Sequence, residues 1–233
     1  MSLPGGTAAA PSLPGRWWDG PVSEPGTTIR LGTPSVRRAE QRDVPRIAAT
    51  LTVALADSRW VRWALPEDGR VQRLTRWHEL DAGHRAVATG SGWVTEDVTA
   101  VATWEPPPGA EGTTPLPGDV RAALARELPY LSGPHAARVA ATAELLAAAR
   151  PAGPHWWLTH LGTRPSSRRR GLGTAVLRPV LDRCDADGVP AAAAVHTWAG
   201  VRFLRRSGFE VDRAARTADD ELPLWLLVRR PGG

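Results

Sequence analysis

Arg168-Arg169-Arg170-Gly171-Leu172-Gly173 is the stretch on which the reading of this chain turns. Upstream lies an aromatic, strand-like run from His155 to Thr163, and downstream an amphipathic, helix-like run extends from Leu172 to Asp187. A strand-to-helix turn with glycines lets the backbone approach a ligand closely, leaves the first amides of the helix without partners, and sets the positive end of the helix dipole there. The adjacent arginines add cationic donors. A phosphate-bearing molecule is the natural guest. Two plainer readings stay open at this point: ordinary turn chemistry for the glycines, and a solvated patch for the arginines. A dinucleotide-binding fold is disfavoured, because the third glycine of its fingerprint falls at Val176.

With 233 residues the chain is long enough for one domain with a substantial core. Residues 1–26 are rich in Pro, Gly and Ala and read as a mobile tail on which Trp17 and Trp18 are docking candidates, leaving a single domain over 27–233. The net charge is +5 and every basic residue is arginine, which is weak support for a polyanionic partner because codon bias explains it equally well. Cys184 is the lone cysteine, so no internal disulfide forms and a buried structural thiol in a cytoplasmic, reducing setting is expected. No apolar run reaches membrane-spanning length, and the first residues lack the basic start and apolar stretch of a signal peptide.

Periodicity places the remaining elements. A β-prone run at 35–39 leads to Asp43, expected to cap a helix through Ala56 with Val44, Ile47, Ala48, Leu51 and Leu55 on one face. An aromatic segment follows at 60–65, then a helical run from Glu67 to about Ala86. Strands are expected at 92–95 and 98–104, joined by Glu96-Asp97 as a hairpin turn and halted by three prolines after Glu105. Helices at 119–128 and 135–149 precede the turn region. Beyond it come a strand at 191–195, a helix at 199–206 and strands at 209–213 and 222–228. This order is a mixed α/β sheet flanked by helices, with the arginine-glycine turn after its fourth strand.

Arg168-x-x-Gly171-x-Gly173 matches the Arg/Gln-x-x-Gly-x-Gly/Ala motif of the GNAT superfamily of acyl-CoA-dependent N-acetyltransferases, and Val201 to Phe209 resembles its second block, Phe-Tyr-x-x-x-Gly-Phe. Over roughly 35–230 the chain resembles the puromycin N-acetyltransferases of that superfamily, with supporting matches at 36–39, 42–46 and 100–104. The resemblance implies a sheet splayed between its fourth and fifth strands, with acetyl-CoA or another acyl-CoA as co-substrate, no metal, and a small-molecule amine as acceptor in natural-product resistance or tailoring. Leu161, Gly162 and Thr163 would lie along the pantetheine arm. Arg168, Arg169, Arg170, Gly171, Leu172, Gly173 and Thr174 would hold the pyrophosphate.

The chain departs from the pattern where chemistry is expected. The tyrosine that usually protonates the departing thiolate falls at Leu204, the acidic residue of the puromycin enzymes at Ala194, and a common asparagine at Gly200. Two alternatives follow: the donor is an aminoacyl-tRNA bound through the arginine-rich turn, or the domain binds CoA without turnover. His160, His196 and Glu105 are the candidates for moving the amine proton. Strand alternation allows only one of Thr159 and His160 to face the cleft. His78 and Glu79 lie on a helical run that commonly borders the acceptor. Trp60, Trp63, Trp77 and Trp104 are candidates for an aromatic acceptor pocket, drawn from eleven tryptophans in all. Oligomeric state is not legible.

Overall fold

A computed structural model describes residues 34–232. The 1–26 tail, its boundary with the domain, and Trp17 and Trp18 lie outside the described residues. Seven strands form one sheet in the order β1-β2-β3-β4-β5-β7-β6. They are β1 (Val36–Arg38), β2 (Gly92–Thr95), β3 (Ala100–Glu105), β4 (Trp156–Thr163), β5 (Ala191–Val195), β6 (Glu210–Arg216) and β7 (Pro223–Arg229). Every neighbouring pair is antiparallel except β4–β5.

The parallel pair is short. β4 and β5 meet only at Trp156↔Ala191, Trp157↔Ala192 and Leu158↔Ala193, although β4 runs on to Thr163 and β5 to Val195. The divergence begins at a β-bulge. Opposite β3 the register steps from Trp104↔Leu158 to Thr103↔His160, so Thr159 is the extra residue on β4. Such a bulge bends its strand and increases the local twist. The Thr159 hydroxyl holds it, lying 2.7 Å from the Thr103 hydroxyl and donating to the Thr103 carbonyl at 2.9 Å. The β3 side of β4 stays paired to the end of the strand while the β5 side opens.

Helices cover both faces. On one, α7 (Leu172–Asp187) and α8 (Trp198–Arg205) bury Val176, Leu177, Val180, Cys184 and Leu204 against Trp104, Trp156, Leu158, Ala193 and Leu227. On the other, α1 (Val44–Leu55) packs Ile47 and Leu51 against Val94, Val98 and Val101. Cys184 is buried, and burial pushes its thiol up to about 12, as expected of an inert structural cysteine. A helical pair, α5 (Gly118–Ser132) and α6 (Ala136–Ala149), fills the long connection between β3 and β4.

Several local expectations are corrected. The aromatic 60–65 segment is a helix, α2 (Arg59–Ala64), capped by the Ser58 hydroxyl, which accepts from Val61 N–H at 3.2 Å. The run from 67 to 86 is not one regular helix: α3 (Arg70–Trp77) passes into a π-helical stretch, His78–His84, and then α4 (Arg85–Thr89). Gly83 allows that stretch to press on α1, since a Cβ there would sit 2.8 Å from Val44 Cγ1. The β2–β3 turn extends through Thr99, with Val98 at φ 54° and the Thr95 hydroxyl accepting from Thr99 and Ala100 N–H. Asp43 does not cap α1. Its carboxylate instead accepts from Arg37 at 2.6 and 2.9 Å and from Glu40 N–H at 2.9 Å.

That buried carboxylate clamps β1 to the start of α1, so Asp43→Ala should lower stability by about 2 kcal/mol, read from the urea midpoint. Hydrogen bonding from Arg37 holds the Asp43 carboxyl below its ordinary value. Its contribution is therefore full above the ordinary carboxylate range and is lost as acid protonates it, so wild type and variant should converge at low pH.

Candidate active site

The arginine-glycine turn leaves β4 through a single 3-10 turn, Pro165–Ser167. Arg169 and Gly171 adopt left-handed backbone at φ 62° and 76°, and this turns the chain sharply into α7. The helix start is bare: Gly171 offers no side-chain cap and no acidic residue stands in the first turn. The first helical bond runs from Ala175 N–H to Gly171 carbonyl, so the amides of Leu172, Gly173 and Thr174 have no acceptor within the helix. This bare terminus of a 16-residue helix is a fitting seat for a phosphate. Gly173 keeps the approach open, for a Cβ there would lie 3.1 Å from Phe203 Cζ and 3.6 Å from Thr163 Oγ1. Arg169 and Arg170 are exposed. Arg168 is turned away, donating to Ala54 carbonyl at the end of α1 at 3.0 Å.

Beside this turn runs the open edge of β4. Arg164 N–H donates to Thr99 carbonyl at 2.9 Å, toward β3. Backbone groups alternate along a strand, so the N–H groups of Leu161 and Thr163 point the other way, into the space that β5 has vacated. Gly162 serves packing instead: its missing Cβ would lie 2.7 Å from Leu51 Cδ2 and 3.2 Å from Ala54 Cβ, so glycine lets α1 sit close against the strand.

The bulge also resets the side chains. Thr159 and His160 both reach the Thr103 hydroxyl, at 2.7 and 3.2 Å, so they share one face of the sheet. The expectation that only one of them could face that side is corrected by the extra residue, which interrupts the alternation. His160 Nδ1 faces Thr103 and its Nε2 lies 3.6 Å from Asp81 Oδ2, beyond hydrogen-bond length. Burial, reinforced by the Arg85 cation, lowers His160 to about 4. His78 meets it edge-on at 5.6 Å, bonds Thr52 at 3.2 Å, and is lowered to about 3, chiefly by burial. It is a core histidine rather than a pocket wall.

Glu105 is not free. It lies between Arg85 and Arg150, the latter at 2.6 Å, and Arg85 continues to Asp81 at 2.8 Å. Glu79 is likewise paired, with Arg76 at 3.1 Å. His196, one residue past β5 on the opposite side of the opening, forms no hydrogen bond or ion pair among the described residues. Burial and then the Arg59 cation lower it to about 4. Trp60 stands against it with ring centroids 6.1 Å apart, and Trp63 lies 4.8 Å behind Trp60. Trp63 is fixed there by donating from Nε1 to Asp219 at 2.7 Å and by the Arg138 guanidinium over its ring. Trp77 packs among the helices, and Trp104 is in the core at 1% exposure, edge-on to Trp156. Trp77 thus shares a cluster with Trp60 and Trp63 without stacking on either ring, whereas Trp104 lies in a separate part of the core.

The opening thus brings together Leu161, Thr163, the 172–174 amides, His196 and Trp60, with His160 on the strand behind. Sequence reasoning missed Asp81, Arg85 and Thr103. The i,i+4 spacing of Asp81 and Arg85 was a legible signal, but their meeting with β4 depends on the bulge. Leu204 is fully buried and Ala194 lies in the β5–β7 ladder opposite Leu226, while the Thr197 hydroxyl is spent capping α8 through Gly200 N–H. Among the described residues no cluster of His, Cys, Asp or Glu could hold a metal, and no helix is long and apolar enough to cross a membrane.

A model of the acetyltransferase (GNAT) family matches residues 95–209, which include β3, β4, the arginine-glycine turn, α7 and α8. Among solved structures, histone acetyltransferase HPA2 and related acetyltransferase from Corynebacterium glutamicum superposes with a TM-score of 0.60 at 22% identity, covering 86% of this chain and 98% of that one. An N-acetyltransferase from Staphylococcus aureus Mu50 does so at 0.51 and 15% identity, covering 83% and 99%. The polyamine N-acetyltransferase of Drosophila melanogaster does so at 0.50 and 18%, covering 84% and 99%. At such identities the likeness is one of fold. GNAT acetyltransferases use acetyl-CoA, and the bare α7 terminus beside an open strand edge suits a ligand with a diphosphate and an amide-bearing arm. Family match over 95–209 and splayed sheet agree: the chain has the fold of the GNAT acetyltransferases and is an acetyltransferase of that type.

Proposed function

We propose that the protein moves an acetyl group from acetyl-CoA to the amine of a small molecule by direct attack, without an acyl-enzyme. The observation that carries this reading is the three-residue limit of the β4–β5 pairing, which leaves main-chain donors of β4 facing a gap at the bare start of α7. Leu161 and Thr163 would pair with the pantetheine amides. The amides of 172–174, with Arg169 and Arg170, would take the pyrophosphate. The amine nitrogen bonds to the carbonyl carbon, the carbon–sulfur bond breaks, and CoA leaves as thiolate. The nitrogen's proton passes to His196, neutral at ordinary pH and without a protein partner, and on to water; with Leu204 buried, solvent protonates the thiolate. His160 acts behind it as a positioning residue for Thr103 and the bulge.

The likeness to puromycin N-acetyltransferases supports a setting in natural-product resistance or tailoring. A fold shared with the Drosophila enzyme, which forms N-acetylagmatine, supports an amine as acceptor. A second reading, aminoacyl-tRNA as donor, is favoured by the apolar Leu204 and by the exposed Arg169, Arg170, Arg202 and Arg205. Calorimetry decides between them: CoA should bind the wild type, whereas absence of heat with retention of charged tRNA in gels would transfer the role to tRNA. Binding of CoA without acetylation of any amine would reduce the domain to a CoA sensor.

Gly173→Trp should weaken CoA binding by about a hundredfold or more, because the indole occupies the approach beside Phe203 and Thr163. His196→Ala should lower kcat by about a hundredfold with little change in acetyl-CoA KM. His160→Gln should instead act through stability. Its folded value near 4 lies below the ordinary 6.5, so the neutral ring's contribution is full above 6.5 and is lost as the pH falls toward 4. The Tm of the wild type should therefore decline across that interval more steeply than that of the variant.

A further inference from the structure

The acceptor side of the opening has a one-sided charge. Each carboxylate that packs there already has a partner: Asp81 is held by Arg85, Glu105 by Arg85 and Arg150, and Asp219 by Trp63 Nε1 and Arg138. The histidines add no charge at neutral pH, because burial keeps both His160 and His196 uncharged. Arg59, next to Trp60 and within electrostatic range of His196, has no hydrogen bond or ion pair among the described residues. It stands at the start of α2, where the helix dipole disfavours a cation and no acidic residue lies in the first turn, so helix stability does not account for its charge. Trp60 beside it is partly exposed, with its ring tilted toward His196 at 6.1 Å.

We infer that the acceptor is an arylalkylamine that also carries a carboxylate, the carboxylate received by Arg59 and the ring by Trp60. This rests on the acetyl transfer proposed above and narrows it. A guanidinium offers a fork matched to a carboxylate, and Trp60 offers a flat apolar wall. An acceptor with a second cation, such as agmatine, would find Asp81, Glu105 and Asp219 already paired and would meet Arg59. Asp57, Glu67 and Asp68 are exposed on the turns before α2 and α3, and Arg59 rather than any of them acts electrostatically on His196.

The test compares kcat/KM at neutral pH, with acetyl-CoA, for benzylamine, para-(aminomethyl)benzoate and agmatine. The first two present the same kind of benzylic amine and differ chiefly in the carboxylate. The benzoate should exceed benzylamine about fivefold, through KM, with agmatine lowest. Arg59→Gln should bring the ratio between the two benzylic amines to about one, Arg59→Lys should restore part of the preference, and Tm should report that both variants fold. Agmatine as the best acceptor, or a carboxylate preference that survives in Arg59→Gln, overturns the inference. If CoA binds by calorimetry and none of the three is acetylated, the acceptor class is wrong while the donor site stands. If CoA does not bind, the acetyl-transfer reading fails and takes the inference with it.

Discussion

The structure depends on one interrupted pairing. Three residues of β4 ladder with β5, and then the bulge at Thr159, held by Thr103, turns β4 away. Main-chain donors in a sheet interior are normally satisfied by the neighbouring strand. Here Leu161 and Thr163 are left to find another partner, and the gap that exposes them adjoins the bare start of α7. An extended, amide-bearing ligand with a diphosphate supplies what both lack. The same bulge brings Thr159 and His160 onto one face. The binding edge and the polar cluster behind it therefore have a common origin.

Electrostatics on that face follow from arginine usage. With no lysine in the chain, every cation is a planar, permanently charged guanidinium, and most of the inward-facing ones lie against carboxylates or aromatic rings. Asp81, Arg85, Glu105 and Arg150 form a chain of pairs ending on the Trp157 ring, so the carboxylates there balance arginines before any ligand arrives. Burial keeps the neighbouring imidazoles neutral. A neutral ring is in the correct state to accept a proton, but its low proton affinity means the proton must pass on quickly. This arrangement fits transfer through His196 to solvent better than storage on the protein.

The apolar substitutions at Leu204, Ala194 and Gly200 have structural uses as well. Leu204 fills the core beside α7, and Gly200 lets α8 start close to β5, where a Cβ would lie 3.2 Å from Val195 Cβ. Loss of a general acid for a thiolate is tolerable, since a thiolate leaves without prior protonation far more readily than an alkoxide or an amide anion. The polar side chains at this end of the sheet are His196 and Thr197, of which Thr197 is committed to capping α8.

The sequence by itself determined the order of elements, the arginine-glycine turn and the two core faces, because these rest on local spacing. The run 172–187 is a helix and 191–195 a strand, as periodicity indicates; Gly171 carries the turn in its left-handed backbone, while Gly173 matters for the space it leaves beside Phe203. It also put His196 at the end of the fifth strand, whereas the stacking of Trp60 against it, with Trp63 behind, came from the fold. Only the tertiary structure decided which candidates are available. Glu105 is neutralised by arginines distant in sequence, Trp104 is claimed by the core, and Gly162 answers to α1 rather than to a ligand. The side to which His160 points depends on a one-residue slip between β3 and β4. No local pattern encodes that slip, because a bulge is a property of two paired strands, and its position is settled by how both pack against α1 and α7 at once.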